Sequence, residues 1–173
     1  MKTLFSKSIV KNIFVVIFFA LFVAMSSAII YFSTENAELS SQTSDKVGEI
    51  VAIVAESIGI KVDQNSDSFK NFIRKAFGHF GLFLVVSVNG VLVTLLLKNN
   101  PQMKRIVAYS FLGYGLILAI ITEIIQTQAG GRSGQFSDVL IDYFGYIIPF
   151  GIFLATSFII YRRNRKNCKQ IEV

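Results

Sequence analysis

Polar side chains stand three or four residues apart in three otherwise apolar stretches of the sequence. They form three pairs: Lys75 and His79, four residues apart, Glu123 and Gln126, three apart, and Asp138 and Asp142, four apart. Residues at this spacing share one face of a helix, so each pair predicts a polar face. Arg132 lies in the short segment between the last two pairs. Carboxylates and imidazole can transfer protons or hold a metal, whereas Lys and Arg bind phosphate or carboxylate groups.

Four apolar blocks carry these pairs in a chain of 173 residues that is 53% hydrophobic and 16% charged. A membrane-spanning helix needs about 20 predominantly apolar residues, and each block is about that long. The blocks comprise residues 13–32, 76–97, 106–125 and 139–161. The sequence therefore predicts an all-α fold, an integral membrane bundle of four transmembrane helices. Residues 1–12 and a basic tail, residues 162–173, flank this domain of residues 13–161.

The first block also has features of a signal peptide, because three lysines precede it. Ser26 and Ala28 are small residues of the kind found at a cleavage site. However, the apolar region of a signal peptide has about 7–15 residues, and this block is longer. It continues past the small residues through Ile29 to Phe32. We therefore expect an uncleaved helix.

The basic residues predict the orientation, since cytoplasmic segments are enriched in Lys and Arg. Segments 1–12, 98–105 and 162–173 contain 11 of the 17 basic residues. Segment 33–75 instead contains seven of the 11 acidic residues. We expect both termini in the cytoplasm of a multi-pass cell-membrane protein, with the polar pairs at the outer boundary. The basic residues flank the apolar blocks and form no patch among stacking aromatics, so a nucleic-acid partner is not expected.

Residues 33–75 form the first external loop in this topology. From Lys46 to Val62 apolar residues recur at helical spacing, with Glu49 and Glu56 on the other side. This pattern predicts a short amphipathic helix in the loop. Helices that lie on lipid usually have a basic polar face, whereas this face is acidic. A position over the outer ends of the spans is therefore favoured.

Several of these residues also have purely structural explanations. Asp138 could cap the fourth helix, where a carboxylate offsets unpaired N–H groups. Arg74 and Lys75 could extend to the membrane interface, and Arg132 and Glu123 could form one ion pair. Three further residues inside the spans are interpreted as helix-packing positions: Asn89, Gly113 and Gly115.

A family resemblance is carried by the stretch TEIIQTQAGGRSGQFSDVLIDYFGYIIP. It resembles the signature of the VanZ-like family, in which Glu, Gln, Arg, a Ser-Asp pair and Gly follow in this order. The matching positions are Glu123, Gln126, Arg132, Asp138 and Gly145. The second family hallmark is a basic residue before a His-Phe pair, and it is matched by Lys75, His79 and Phe80. One departure is Asp142, where the family commonly has Asn.

The resemblance implies a bacterial cell-membrane protein associated with reduced susceptibility to glycopeptide antibiotics, teicoplanin especially. From the charges we expect the chain to bind or remodel a polar head group in the outer leaflet. The expected partner is an anionic membrane lipid, a lipid-linked cell-wall precursor or a lipoglycopeptide. The predicted head-group ligands are Lys75, His79, Glu123, Gln126, Arg132, Asp138 and Asp142.

Two other classes of function stay open. An enzyme would use His79 with the three carboxylates as acid and base, or to hold a divalent metal, for transfer or hydrolysis of a lipid-linked substrate. The single histidine and the lack of a nucleophile motif around Ser133 and Ser137 argue against it. A transporter would place its site near the midplane, where these spans carry few charges. The sequence assigns no catalytic residue, metal ligand or cofactor, and leaves the oligomeric state open.

Overall fold

The computed structural model describes residues 2–97 and 100–171, with side chains described for residues 7–97 and 100–163. The described residues form helices and contain no strand. In chain order the elements are α1 (Lys2–Ser33), α2 (Ala37–Ser57), α3 (Asp67–Ile73), a π-helical segment (Arg74–Gly81), α4 (Leu82–Leu96), α5 (Pro101–Gln128) and α6 (Phe136–Ile171). Some basic residues used to predict orientation lie outside the described side chains: Lys2, Lys98, Arg165, Lys166 and Lys169.

Four helical stretches are long and apolar enough to cross a membrane. They are Lys7–Ser33, Asp67–Leu96, Pro101–Gln128 and Phe136–Arg163. The predicted all-α membrane bundle is therefore confirmed. The helices extend beyond the apolar blocks because local backbone chemistry, rather than hydropathy, ends them. Before α5, for example, the Asn100 side chain accepts the N–H groups of Gln102 and Met103.

The second helix, α2, confirms the short helix expected in the loop after the first span. Its predicted limits, residues 46–62, are wrong at both ends, since α2 comprises Ala37–Ser57. Asn36 starts the helix by accepting the Leu39 N–H at 2.9 Å. Gly59, with φ of 84°, ends it in the left-handed conformation that glycine adopts readily. Both signals are short-range and lie outside the apolar periodicity.

Aromatic side chains form the centre of the bundle. Phe22 of α1 packs edge-on against Phe111 of α5, with ring centroids 4.9 Å apart. Phe111 in turn stacks with Phe150 of α6 at 5.8 Å. Phe22 and Phe150 are both buried. The first span is therefore part of the bundle core.

Two of the three expected packing residues lie at buried positions. Gly115 accommodates the buried ring of Tyr146, because a Cβ at Gly115 would overlap that ring. Asn89 is buried and donates its Nδ2 hydrogen to the Val85 carbonyl at 2.8 Å. Gly113 is exposed, and a Cβ built there would meet no atom of another helix within 4 Å, so the interpretation was wrong for packing within this chain.

The π-helical segment was not predicted by the sequence. It interrupts the second span between α3 and α4 over Arg74–Gly81. In a π-helix each N–H pairs with a carbonyl five residues earlier, and single π turns occur frequently at functional sites. Gly81 fits this backbone closely, because a Cβ there would lie 3.0 Å from the Ala76 carbonyl oxygen. The segment carries His79, the only histidine of the chain.

Candidate functional site

His79 lies at the centre of a polar cluster at one end of the bundle. Its Nδ1 is 3.0 Å from Oδ1 of Asp142, and its Nε2 is 3.7 Å from Oδ2 of Asp138. All three residues are buried, with 4%, 0% and 2% of their surfaces exposed respectively. The two carboxylates stand one turn apart on α6, as their spacing predicts. They therefore hold the imidazole between them.

Glycine allows α6 to approach the π-helical segment closely. A Cβ at Gly145 would lie 2.5 Å from the carbonyl oxygen of Phe80, so the backbone of α6 lies directly against the backbone of the π-helical segment. Any larger residue would force the two elements apart, since backbone atoms cannot rotate away as a side-chain tip can. Gly145 thus sets the distance across which His79 reaches Asp142.

Asp138 also faces two cations from the second span. Lys75 Nζ lies 3.4 Å from Oδ1 of Asp138, and an Arg74 guanidinium nitrogen lies 3.8 Å from Oδ2. The two cationic side chains are about one-third exposed, at 32% and 34%, while Asp138 is buried. Asp138 occupies the first turn of α6, where the helix dipole also favours a carboxylate. The carboxylate is therefore stabilised by both its helix and its neighbours.

Glu123 of α5 anchors the connection to α6. Its Oε1 accepts the backbone N–H of Gln135, while its Oε2 is buried without a hydrogen-bond partner. The connection passes close because Gly134 has no side chain, and a Cβ there would lie 3.3 Å from both Glu123 O and Oε1. Among the described side chains, no guanidinium nitrogen of Arg132 lies within 4.0 Å of a Glu123 carboxylate oxygen. The ion pair considered between them is not formed.

Arg132 instead joins three elements through neutral acceptors. One terminal nitrogen donates to Oε1 of Gln126 at 2.7 Å. The other donates to the carbonyls of Phe32 at 3.3 Å and Glu35 at 3.5 Å, where α1 meets α2. The preceding Gly131 has φ of 75°, a left-handed turn that L side chains rarely adopt. The loop is thereby directed across the end of α1.

A cavity of about 470 Å³ lies beside this cluster, between α1, α2, the second span and α5. Its polar lining includes members of the cluster: Arg74, His79, Gln126, Arg132 and Asp142. Much of the remaining lining is apolar, including Ile29, Phe32, Ile73, Phe77, Leu82 and Phe83. The cavity lining therefore combines charged and apolar side chains.

A model of the VanZ/LLP1 family matches residues 12–160, most of the chain. The chain belongs to the VanZ/LLP1 family. The resemblance inferred from the two sequence hallmarks is thus confirmed, and the match spans the whole polar cluster. Comparisons with curated proteins and with solved structures find no match.

In this VanZ/LLP1 protein the seven predicted site residues lie in two adjoining groups. Lys75, His79, Asp138 and Asp142 form one connected network. Glu123 adjoins it, since one ligand atom each from His79, Glu123 and Asp142 lie within 4.8 Å of one another. Gln126 and Arg132 form a separate hydrogen-bonded pair that shares the cavity.

Sequence reasoning missed what the junction of α1 and α2 contributes to the VanZ/LLP1 site. The acceptors there are the backbone carbonyls of Phe32 and Glu35. Every residue has such a carbonyl, so no residue type or spacing could have indicated them. The close approach at Gly145 carried a weak signal, because glycine inside a helix is costly unless space requires it.

Proposed function

We propose that this multi-pass membrane protein binds the polar head group of a membrane lipid or lipid-linked envelope molecule. The class includes an anionic lipid, a lipid-linked cell-wall precursor and a lipoglycopeptide. The observation that carries the proposal is the cavity beside Arg132, whose lining combines charged side chains with many apolar ones. A ligand with an anionic head and an apolar tail can contact both kinds of side chain.

The size of the cavity supports this class of ligand. Small-molecule sites typically have volumes of about 300–1,000 Å³, and this cavity measures about 470 Å³. That volume holds a head group with the first part of a chain, while the rest of the chain would extend into the surrounding lipid. Phe77 and Ile73 of the second span and Ile29 of α1 supply apolar walls.

Arg132 supplies the charge that such a head group requires. Its guanidinium donates hydrogen bonds to neutral oxygens. Among the described side chains, no carboxylate oxygen lies within 4.0 Å of the guanidinium. Burial, followed by repulsion from Arg74, lowers the pKa of Arg132. An anion in the cavity would oppose both effects, and a guanidinium offers paired N–H donors that match phosphate or carboxylate oxygens.

Arg74 and Lys75 add two cations near Arg132, and Arg74 also lines the cavity. Both are partly exposed and pair with the buried Asp138, which orients them. A cation near a membrane surface contributes on the order of 1 kcal/mol toward anionic lipid. Two or three such cations would favour an anionic head group without holding it permanently, which suits recognition within a leaflet.

The proposed location is the outer face of the cell membrane. It rests on the excess of Lys and Arg in the segments at the opposite end of the spans. At the outer face the cavity would meet lipid-linked wall precursors and lipoglycopeptides such as teicoplanin. An association with teicoplanin resistance, which the family resemblance implies, follows from the same placement.

Binding of a defined amphiphile tests the proposal. The purified chain, in nanodiscs of zwitterionic lipid, is titrated with a fluorescent short-chain polyprenyl diphosphate. We expect Arg132→Gln to weaken binding at least tenfold, about 1.4 kcal/mol. The matched control is Arg105→Gln, an exposed arginine at the other end of α5. Equal affinity of wild type and Arg132→Gln would refute the proposal.

A cellular test covers the resistance association. Cells expressing the wild type, Arg132→Ala or Asp138→Ala at matched levels are compared for teicoplanin susceptibility. We expect wild type to lower susceptibility and both variants to lose that effect. If the variants protect as well as the wild type, the cluster has no part in resistance.

The second candidate is a membrane-embedded transferase or hydrolase acting on the same class of molecule. The specific observation is His79 held between two carboxylates, at 3.0 and 3.7 Å, an arrangement suited to general acid–base catalysis. Turnover of labelled polyprenyl-phosphate substrates by the purified chain, with and without chelator, distinguishes it from the binding protein. Absence of turnover in both conditions argues for binding alone.

A further inference from the structure

Three buried side chains from three different helical elements converge beside the cavity. His79 comes from the π-helical segment, Glu123 from α5 and Asp142 from α6. One ligand atom from each lies within 4.8 Å of the other two. Two carboxylate oxygens in this group, Glu123 Oε2 and Asp142 Oδ2, are buried and have no hydrogen-bond partner.

We propose that His79, Glu123 and Asp142 bind one divalent metal ion of the Mn²⁺ or Zn²⁺ type. With metal–ligand bonds of roughly 2.0–2.2 Å, two ligand atoms of one ion lie about 3.4 Å apart in a tetrahedral site and at most about 4.4 Å apart across an octahedral one. The three ligand atoms now lie within 4.8 Å of one another, so side-chain rotations that draw them together would complete the site. The two oxygens without partners are the natural donors.

The charge balance of the cluster favours such an ion. A buried polar atom without a partner costs free energy, and a buried carboxylate costs much more unless it is paired. The neighbouring cations Lys75 and Arg74 pair with Asp138, and Arg132 donates to Gln126. A dication would neutralise Glu123 and Asp142 together and give both orphaned oxygens a partner.

The donor set indicates which ions suit the site. Imidazole favours Zn²⁺ and other transition metals, while carboxylates also accept Mn²⁺. Three protein ligands leave coordination positions for water or for an oxygen of a bound molecule. Asp142 contributes a second negative charge beside Glu123, which favours a dication at this position.

Metal binding goes beyond the head-group proposal and does not depend on it. An ion at this position would add positive charge to the wall of the cavity that Arg132 also lines. With chelator added to the polyprenyl diphosphate titration, head-group binding is measured without metal, and metal binding is measured without any lipid-linked ligand. Failure of one test therefore leaves the other proposal intact.

The direct test uses the full chain purified without a polyhistidine tag. Equilibrium dialysis against Mn²⁺ or Zn²⁺ should show one ion bound per chain. The Mn²⁺ form is then examined by electron spin-echo spectroscopy for coupling to a nitrogen nucleus. The sequence contains one histidine, so an imidazole coupling assigns His79 as a ligand without any variant. Failure of both ions to bind at millimolar concentration, or Mn²⁺ binding without nitrogen coupling, overturns the site.

Substitutions test the two carboxylates. Glu123→Gln and Asp142→Asn each keep the shape of the side chain and should weaken metal binding at least tenfold. Glu49→Gln, an exposed glutamate on α2, is the matched control and should bind as wild type does. If a variant does not remain monodisperse in detergent, the nitrogen coupling measured on the wild type still shows whether His79 binds the ion. Equal affinity in a folded Glu123→Gln variant contradicts the proposal.

Discussion

The imidazole Nδ1 of His79 lies 3.0 Å from Oδ1 of Asp142, although 63 residues separate them in the chain. The contact is buried and joins the π-helical segment of the second span to the first part of α6. The remaining oxygen of Asp142 is buried and has no hydrogen-bond partner. An Asn at this position would keep a hydrogen-bond acceptor but lose the charge.

Gly145→Ala should destabilise the protein by about 1–3 kcal/mol, the usual cost of adding atoms to a packed contact. The added Cβ would meet the backbone carbonyl of Phe80, which cannot move without moving the π-helical segment. Thermal unfolding in detergent measures the effect. Gly151→Ala is the control on the same helix, since a Cβ there meets nothing within 4 Å. Similar unfolding temperatures for the two variants would contradict the close approach.

Glu123→Ala should loosen the connection between α5 and α6. The substitution removes the acceptor for the Gln135 N–H and leaves that segment without its anchor to α5. Hydrogen exchange followed by mass spectrometry should show faster exchange over residues 129–136. Glu56→Ala removes an exposed glutamate of α2 and should leave that segment unchanged. Unchanged exchange in Glu123→Ala would show that the loop is held by other contacts.

Arg74 and Lys75 should compensate for each other. Arg74→Gln or Lys75→Gln removes one of the two cations that pair with the buried Asp138 and leaves the other. Each substitution should therefore cost at most about 1 kcal/mol of stability. The double variant leaves the buried Asp138 carboxylate without either cation. Its loss of stability should therefore exceed the sum of the two single losses by about 1 kcal/mol or more. Thermal unfolding of the four proteins gives the coupling.

The exposed pair of Lys70 and Asp45 provides the comparison for this cycle. Their side chains are 44% and 43% exposed and lie 3.7 Å apart. Water screens such a pair, so removing either partner should cost little. If the stability losses of Arg74→Gln and Lys75→Gln simply add in the double variant, then Asp138 does not depend on having at least one of the two cations.

Labelling of introduced cysteines tests the orientation. The single natural cysteine is first removed as Cys168→Ser, and then either Ser133→Cys or Gln102→Cys is added. Both positions are exposed, one in the loop beside Arg132 and the other at the opposite end of α5. A membrane-impermeant maleimide should label position 133 in intact cells and position 102 only after permeabilisation. The reverse pattern would place the cluster in the cytoplasm.

The apolar blocks alone predict four membrane-spanning helices, because any chain segment in lipid must satisfy its backbone hydrogen bonds internally. The same physics makes buried charges costly, so polar residues inside spans indicate a site before any contact is known. The spacing of Asp138 and Asp142 also predicts a shared face, which the structure confirms around His79.

Other features were decided only by the tertiary structure. The limits of α2 depend on Asn36 and Gly59, whose caps act within one turn and leave no trace in the apolar period. Arg132 could have paired with Glu123, but the turn at Gly131 directs it toward Gln126 and the end of α1.

The meeting of His79, Glu123 and Asp142 depends on three elements packing at fixed distances. Spacing along one helix indicates which side chains share a face, but it contains no information on how closely two helices approach. Here a glycine decides one such approach, at Gly145 of α6 against the Phe80 backbone. The sequence by itself determined the membrane bundle and the candidate residues, whereas packing determined which of them touch.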